Sequence, residues 1–301
     1  MNTTLATQKP LGIILFTWAV ILLISDLPNA IWNALIGEPP SWLFWIKAGL
    51  LLLVIVASLA WKPIQIMRPF FILLLVLILA LYGMDWLRST PVYLQWEQRI
   101  GWVWGMVAYQ ALKLAVAFIM ILVLLLMGRP RKAFFLTPGE LSAPIRARKT
   151  EAKTNKRPLS WGQLGLILGI CILPLTLLFF GLGNLPPTDA LTRALPFFPV
   201  AILFAATNAF SEEVQFRASL LGDLQKVLGE DHAIWMTAVF FGFAHYFGGP
   251  PAGILGVLIT GLLGALFAKC MLESRGMVVP WFIHFCQNAV IYAFEAIGSV
   301  V

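Results

Sequence analysis

Three short runs in the second half of the chain hold the residues best able to do chemistry. Asn208-Ala-Phe-Ser-Glu-Glu-Val-Gln-Phe-Arg217 sets two adjacent carboxylates and a guanidinium in an otherwise apolar stretch. Phe241-Gly-Phe-Ala-His245 and His284-Phe-Cys-Gln-Asn288 come after it. A carboxylate withdrawn from water is a stronger base and can take a proton from a water molecule. Glu212 is the candidate for that task. His245 can hydrogen-bond the same water, orient it or shuttle its proton. His284 and Asn288 can donate to a developing oxyanion, often the largest contribution to such catalysis. The chemistry on offer is hydrolysis by an activated water.

Helical spacing sorts these groups onto faces. Residues four apart on a helix are neighbours, and Glu213 and Arg217 are so spaced, with the glutamate first, the better order for an ion pair. Glu212 lies five residues from Arg217, about 140° around a helix of 3.6 residues per turn. Arg217 is therefore expected to satisfy Glu213 and leave Glu212 available, with Asn208 and Gln215 on the Glu212 side. Phe241 and His245 share a face, and so do His284 and Asn288. Ser211 and Cys286 stand beside the motifs, but neither has a base one helical turn on, which argues against a covalent nucleophile. Taken singly, a membrane histidine usually ties one helix to another, and a Glu–Arg pair usually stabilises a core. Four such features on three apolar segments favour convergence, because each polar group in hydrocarbon needs a partner. His232, beside Asp231 at the start of a segment, reads as an interfacial bystander.

The elements that must position these residues are membrane helices. Of 301 residues, 60% are hydrophobic and 12% charged, and the mean hydropathy is +0.86. A soluble domain carries roughly twice that share of charge, so a soluble fold and a disordered chain are both excluded. The three cysteines, Cys171, Cys270 and Cys286, all lie in apolar stretches and form neither a disulfide framework nor a CxxC knuckle. A span needs about 20 mostly apolar residues. Candidates fall near Leu11–Ile24, Trp42–Trp61, Pro69–Leu87, Trp102–Met127, Trp161–Gly183, Pro199–Leu221, His232–Phe247, Ala252–Met271 and Val278–Val300. The expected fold is an all-α polytopic transmembrane bundle of about eight to nine spans. The first segment is short unless it runs on through Pro28 as a kinked helix. Its apolar run resembles a signal peptide, but no small-residue cleavage site is evident after it, so it reads as a retained span.

Charge sets the expected orientation. From Arg129 to Arg157 the chain carries nine Lys/Arg against two Glu, and this loop alone accounts for the formal net charge of +7. Positive loops stay cytoplasmic, which puts the N-terminus inside and the C-terminus outside. Anionic lipid would attract the same loop. Nucleic acid is not expected as a partner, because a binding surface for it would interleave aromatic and basic residues on a folded face, and this loop reads instead as polar and rich in Pro, Ala and Thr. The loop reads as polar and mobile, and it divides the chain into a membrane block over 1–128, a basic cytoplasmic segment over 129–160 and a motif-bearing domain over 161–301. In the first block only Lys47 and Lys113 break the apolar pattern. Lys47 is near a helix end and can snorkel. Lys113 is mid-helix with no partner that the sequence identifies, so snorkelling or pairing within the bundle is expected. Gly256, Thr260, Gly264 and Ala268 recur every four residues, a stripe that lets helix backbones approach closely.

Glu-Glu-x-x-x-Arg, Phe-x-x-x-His and His-x-x-x-Asn, in this order on separate spans, resemble the three motifs of the CAAX prenyl endopeptidase and bacteriocin-processing family (CPBP, or Abi). The resemblance covers Trp161 to Val301, and Ala218 stands where that family often has glycine. It implies an intramembrane endopeptidase in which Glu212 and His245 activate water, His284 and Asn288 hold the oxyanion, and Glu213 and Arg217, with Phe241 and Asn208, shape the site. It also implies a membrane-associated peptide or protein as substrate. No eukaryotic targeting signal is evident, so a bacterial plasma membrane is expected. No cofactor is expected. The alternative is zinc held by Glu212, His245 and His284. Without HExxH no two ligands lie one turn apart, and Glu213 would have to serve as base while paired to Arg217. Two readings from other classes compete. One is a non-enzymatic membrane immunity or scaffold protein with a vestigial site. The other is a proton-coupled transporter, disfavoured because the two membrane blocks share no inverted pattern of broken helices.

Overall fold

The computed structural model describes residues 11–146, 158–182, 186–249 and 251–301. In chain order the helices are α1 (Leu11–Ile24), α2 (Leu27–Leu35), α3 (Trp42–Ala60), α4 (Lys62–Gln65), α5 (Arg68–Ser89), α6 (Pro91–Leu126), α7 (Trp161–Gly181), α8 (Thr188–Ala194), α9 (Phe198–Glu213), α10 (Ser219–Leu228), α11 (Glu230–Ala244), α12 (Gly253–Ser274) and α13 (Val278–Gly298). A π-helical turn, Val214–Ala218, joins α9 to α10. Among the described residues the only β-type pairing is an isolated bridge between Pro144 and Ser160. The protein is an all-α integral membrane protein.

Six described stretches are long and apolar enough to cross a membrane: Trp42–Ala60, Arg68–Ser89, Pro91–Leu126, Trp161–Gly181, Thr188–Leu228 and Gly253–Ser274. The bent pair α1–α2 would make a seventh. The count of eight to nine from sequence is thus approximate, and two segments account for the difference. Helix α11 has 15 residues, about 22 Å at 1.5 Å per residue, short of a hydrocarbon core about 30 Å thick. Helix α13 is long enough but carries His284, Gln287, Asn288 and Glu295 among its apolar residues.

Contacts group the chain into two compact units, Met1–Ile78 with Leu220–Lys269, and Leu79–Ser219 with Cys270–Val301. In the first unit α1 packs on α3 and α11. Between α1 and α2 the axis bends by 52°. Pro28 has no N–H to give to the preceding turn, so carbonyls at the end of α1 need other donors. Lys47 supplies one: its Nζ donates to the Ser25 carbonyl at 2.9 Å and meets Asp26 Oδ1 at 3.2 Å. Pairing within the bundle, not snorkelling, is what holds this lysine. The close approach expected of α12 is present and is reciprocal. A Cβ on Gly242 of α11 would lie 2.7 Å from the Val257 carbonyl oxygen, and one on Gly256 would lie 3.0 Å from the His245 carbonyl oxygen.

In the second unit α13 packs against α7, α8 and α9, and α6 packs on α9. Ala201, Phe204 and Ala205 of α9 meet Tyr292 and Ala296 of α13, with Trp102, Val103 and Met106 of α6 against them. Lipid tails are as apolar as these side chains, so close packing between small residues does what hydrophobic drive does in water. Gly165 and Gly169 serve the same end on α7, where added Cβ atoms would strike Val279 and Phe282 at 2.5 and 2.7 Å.

The basic segment departs from its expected mobility over its first part. Residues 131–146 form a built strap. Gly139, at φ +84°, lies backbone to backbone with Gly276. Glu140 N–H donates to the Ser274 carbonyl at 2.7 Å, and Met277 N–H donates to the Thr137 carbonyl at 3.0 Å. Glu273 accepts from the Arg146 backbone N–H and from Trp161 Nε1, both at 2.9 Å. Short polar residues and glycine therefore grip the turn that leads into α13, where composition alone suggests a solvated loop. Arg148, Lys149, Glu151, Lys153, Lys156 and Arg157 lie outside the described residues.

Candidate active site

Helix α9 enters the second unit with an apolar face and ends in a run of buried polar residues: Asn208, Ser211, Glu212 and Glu213, then Gln215 and Arg217 in the π turn. Such turns recur at functional sites because they widen the spacing of side chains along one helix. The Glu213–Arg217 pair expected from spacing is present, with Nη1 to Oε1 at 3.0 Å and both side chains fully buried. Breaking a pair in that position leaves a charge in a medium that cannot solvate it, typically at a cost of about 3–5 kcal/mol.

Glu212 is not left available as the spacing suggested. Lys113 of α6 donates to its Oε1 at 2.6 Å, and Asn208 Nδ2 donates to the same oxygen at 3.1 Å. Asn208 closes the triangle by accepting from Lys113 Nζ. Gln215, also on the side expected for Glu212, donates through Nε2 to the Lys113 carbonyl at 2.8 Å. The formal charges of Glu212, Glu213, Lys113 and Arg217 cancel, which is the arrangement that buried carboxylates side by side require.

Helix α13 brings His284 to both glutamates. Its Nδ1 lies 2.9 Å from Glu213 Oε1 and its Nε2 lies 3.5 Å from Glu212 Oε2. A carboxylate only accepts, so Nδ1 carries a hydrogen toward Glu213, and the ring is oriented as a carboxylate orients a histidine in many hydrolytic sites. Asn288 is one turn further along α13 and buried, and its Nδ2 donor has no hydrogen-bond partner among the described residues. A further layer ties the same helices: Gln110 Nε2 donates to Tyr292 Oη at 2.7 Å, and Trp281 Nε1 donates to the Ala206 carbonyl at 3.0 Å.

Phe241 and His245 belong to the first unit, where they meet each other. His245 comes directly after the last residue of α11, and its Nδ1 lies 3.0 Å from the Phe241 carbonyl oxygen. That oxygen is an acceptor only, so Nδ1 carries the hydrogen and the acceptor nitrogen is Nε2, the tautomer a proton-accepting histidine needs. The two rings meet edge to face at 4.4 Å. His232 accepts from Trp18 Nε1 at 3.3 Å within the same unit.

The second unit thus brings together Asn208, Glu212, Glu213, Arg217 and His284, and adds Lys113. Spacing could not have paired Lys113 with Glu212, since 99 residues separate them. The one signal was its depth: a lysine in the middle of an apolar helix must find a carboxylate or carbonyl within the bundle.

Fold and site together define a class: an integral membrane protein with a buried glutamate–histidine centre. Residues 194–290 match the family model for Rce1-like type II CAAX prenyl endopeptidases, a protease family consistent with the CPBP motifs. The match runs from the end of α8 into α13 and encloses Glu212, Glu213, Arg217, Phe241, His245, His284 and Asn288. Lys113 falls outside it. No curated protein and no solved structure matches the chain.

Proposed function

We propose that the chain is an intramembrane endopeptidase that hydrolyses a peptide bond in a membrane-associated peptide or protein. Glu212, working with His245, takes a proton from water. The resulting hydroxide adds to the scissile carbonyl carbon, and the oxygen that gains charge is held by Asn288 and by His284 as an imidazolium, whose Nε2 then carries a second hydrogen while Nδ1 stays on Glu213. Collapse breaks the C–N bond, and the proton passes to the departing nitrogen, leaving one new carboxylate and one new amine terminus. Glu213 and Arg217 hold His284 in place.

The observation that carries this reading is His284 spanning the two glutamates, with its Nδ1 hydrogen engaged by Glu213 and its Nε2 edge toward Glu212. The orphaned Asn288 amide adds support, since a buried donor without a partner suits a charge that forms only during reaction. Zinc is a poor fit to the residues of this unit: a lysine ammonium already sits on Glu212 Oε1, and among the described residues no three His, Cys, Asp or Glu side chains are grouped to hold an ion. We further propose a cytoplasmic N-terminus, on the charge of the 129–157 segment, in a bacterial plasma membrane, since no eukaryotic targeting signal is evident in the sequence.

New N- and C-termini in membrane proteins would be compared between cells carrying wild type and Glu212→Ala at matched expression. Cleavages present only with wild type are expected, and their sequences would name the substrate class. Identical profiles, with His245→Ala also silent, would replace the protease with a membrane scaffold or immunity protein.

A further inference from the structure

Lys113 is contributed by α6, far outside the stretch that matches the family model, and no motif includes it. It is 7% exposed in the middle of an apolar helix. Three hydrogen bonds fix it to the site. Its ammonium meets Glu212 and Asn208, and its own carbonyl accepts from Gln215, so side chain and backbone of one residue are both held by the glutamate-bearing helix.

We propose that Lys113 is a positioning residue of the hydrolytic centre: it keeps Glu212 a carboxylate and fixes its orientation, so that the N-terminal block supplies one member of the site. The proposal rests on Glu212 being the base. Two adjacent carboxylates in a dry interior need two cations. Arg217 serves Glu213, and Lys113 is the cation bonded to Glu212. With Lys113 gone, Glu212 would be left buried without the cation bonded to it, and a carboxyl that takes up a proton to shed that charge cannot accept one from water. The other charged or titratable groups around this pair do not replace it. Tyr109 of α6 presents its ring 5.4 Å from the ammonium, Tyr292 and Glu295 stand on α13, and His284 reaches Glu212 only at 3.5 Å while its Nδ1 is held by Glu213 at 2.9 Å.

The test uses the full-length protein in phospholipid vesicles at neutral pH, with infrared spectroscopy reading protonated carboxyl groups, and the terminus comparison in cells reading cleavage. Wild type should show no protonated carboxyl band that E212Q removes. K113M should gain such a band, K113M/E212Q should lose it again, and K113R should not show it. Wild-type-only cleavages should fall on the order of 10²-fold in K113M, the scale of a lost general base, and return in part with K113R. A purely structural lysine would change yield and melting without creating a Glu212 band. If K113M does not accumulate, K113Q, which keeps a polar end toward Asn208, takes its place. No band and undiminished cleavage, in the presence of an inactive E212Q, would overturn the proposal and leave the protease reading standing. An E212Q protein that cleaves like wild type would instead overturn the protease reading, and the band alone would then decide whether Lys113 sets the charge of Glu212.

Discussion

Two lysines in the N-terminal block, Lys47 and Lys113, are buried to the same degree, each 7% exposed, and the regions around them differ in every other respect. Lys47 closes a broken helix end. Its partners are a backbone carbonyl and Asp26, whose side chain is 37% exposed. Lys113 meets a carboxylate that is itself buried, in a cluster where each charge has an opposite and a histidine bridges two helices. Burial of a charge is therefore no mark of function by itself. What separates the two regions is the partner: a backbone group that any donor could satisfy, or a reactive side chain that only a cation can hold ionised.

Four substitutions would break or sharpen that contrast. Asn288→Ala is expected to lower cleavage about 10²–10³-fold, as loss of an oxyanion donor does, while melting stays near wild type because Nδ2 has no hydrogen-bond partner among the described residues. Melting unchanged with full cleavage would remove Asn288 from the site. Arg217→Met should destabilise by about 3–5 kcal/mol, the cost of stranding a buried partner, read as lost thermal stability in detergent. Tolerance there would show that Glu213 is held by His284 alone. Lys47→Met should cost only about 1–3 kcal/mol, the scale of an unsatisfied carbonyl, and leave the cleavage profile as it was. A loss of cleavage in folded Lys47→Met would erase the distinction between the two lysines. His232→Phe should change stability by less than about 1 kcal/mol, since one long hydrogen bond to Trp18 is all it gives up.

The parts of this architecture that depend on neighbours within a turn were legible in the sequence. Glu213 with Arg217, Asn208 beside Glu212, and Phe241 against His245 all come from spacing of four. Helical class and membrane residence come from composition. The rest depends on distant partners or on backbone geometry. Lys113 was visible as an anomaly, yet only a fold could bring α6 to α9. The strap of residues 131–146 looked like solvated loop because its grip on Ser274–Met277 is made through backbone groups and glycines, which carry no hydropathy. The expected segment over His232–Phe247 is longer than the part of α11 it covers, because the apolar run continues past His245, where the helix has already ended.

The π turn between Glu213 and Ser219 has a consequence for how this gene can change length. Substitutions there alter one contact at a time. A one-residue deletion would instead let the turn relax to ordinary winding, and each remaining residue of the turn would move about 100° around the helix relative to Glu213. Removing Val214 would set Gln215 directly after Glu213 and swing its amide off the Lys113 carbonyl. The chain between the paired glutamates and Arg217 is therefore fixed in number as well as in kind, and insertions or deletions should be rarer there than in any apolar stretch of α9.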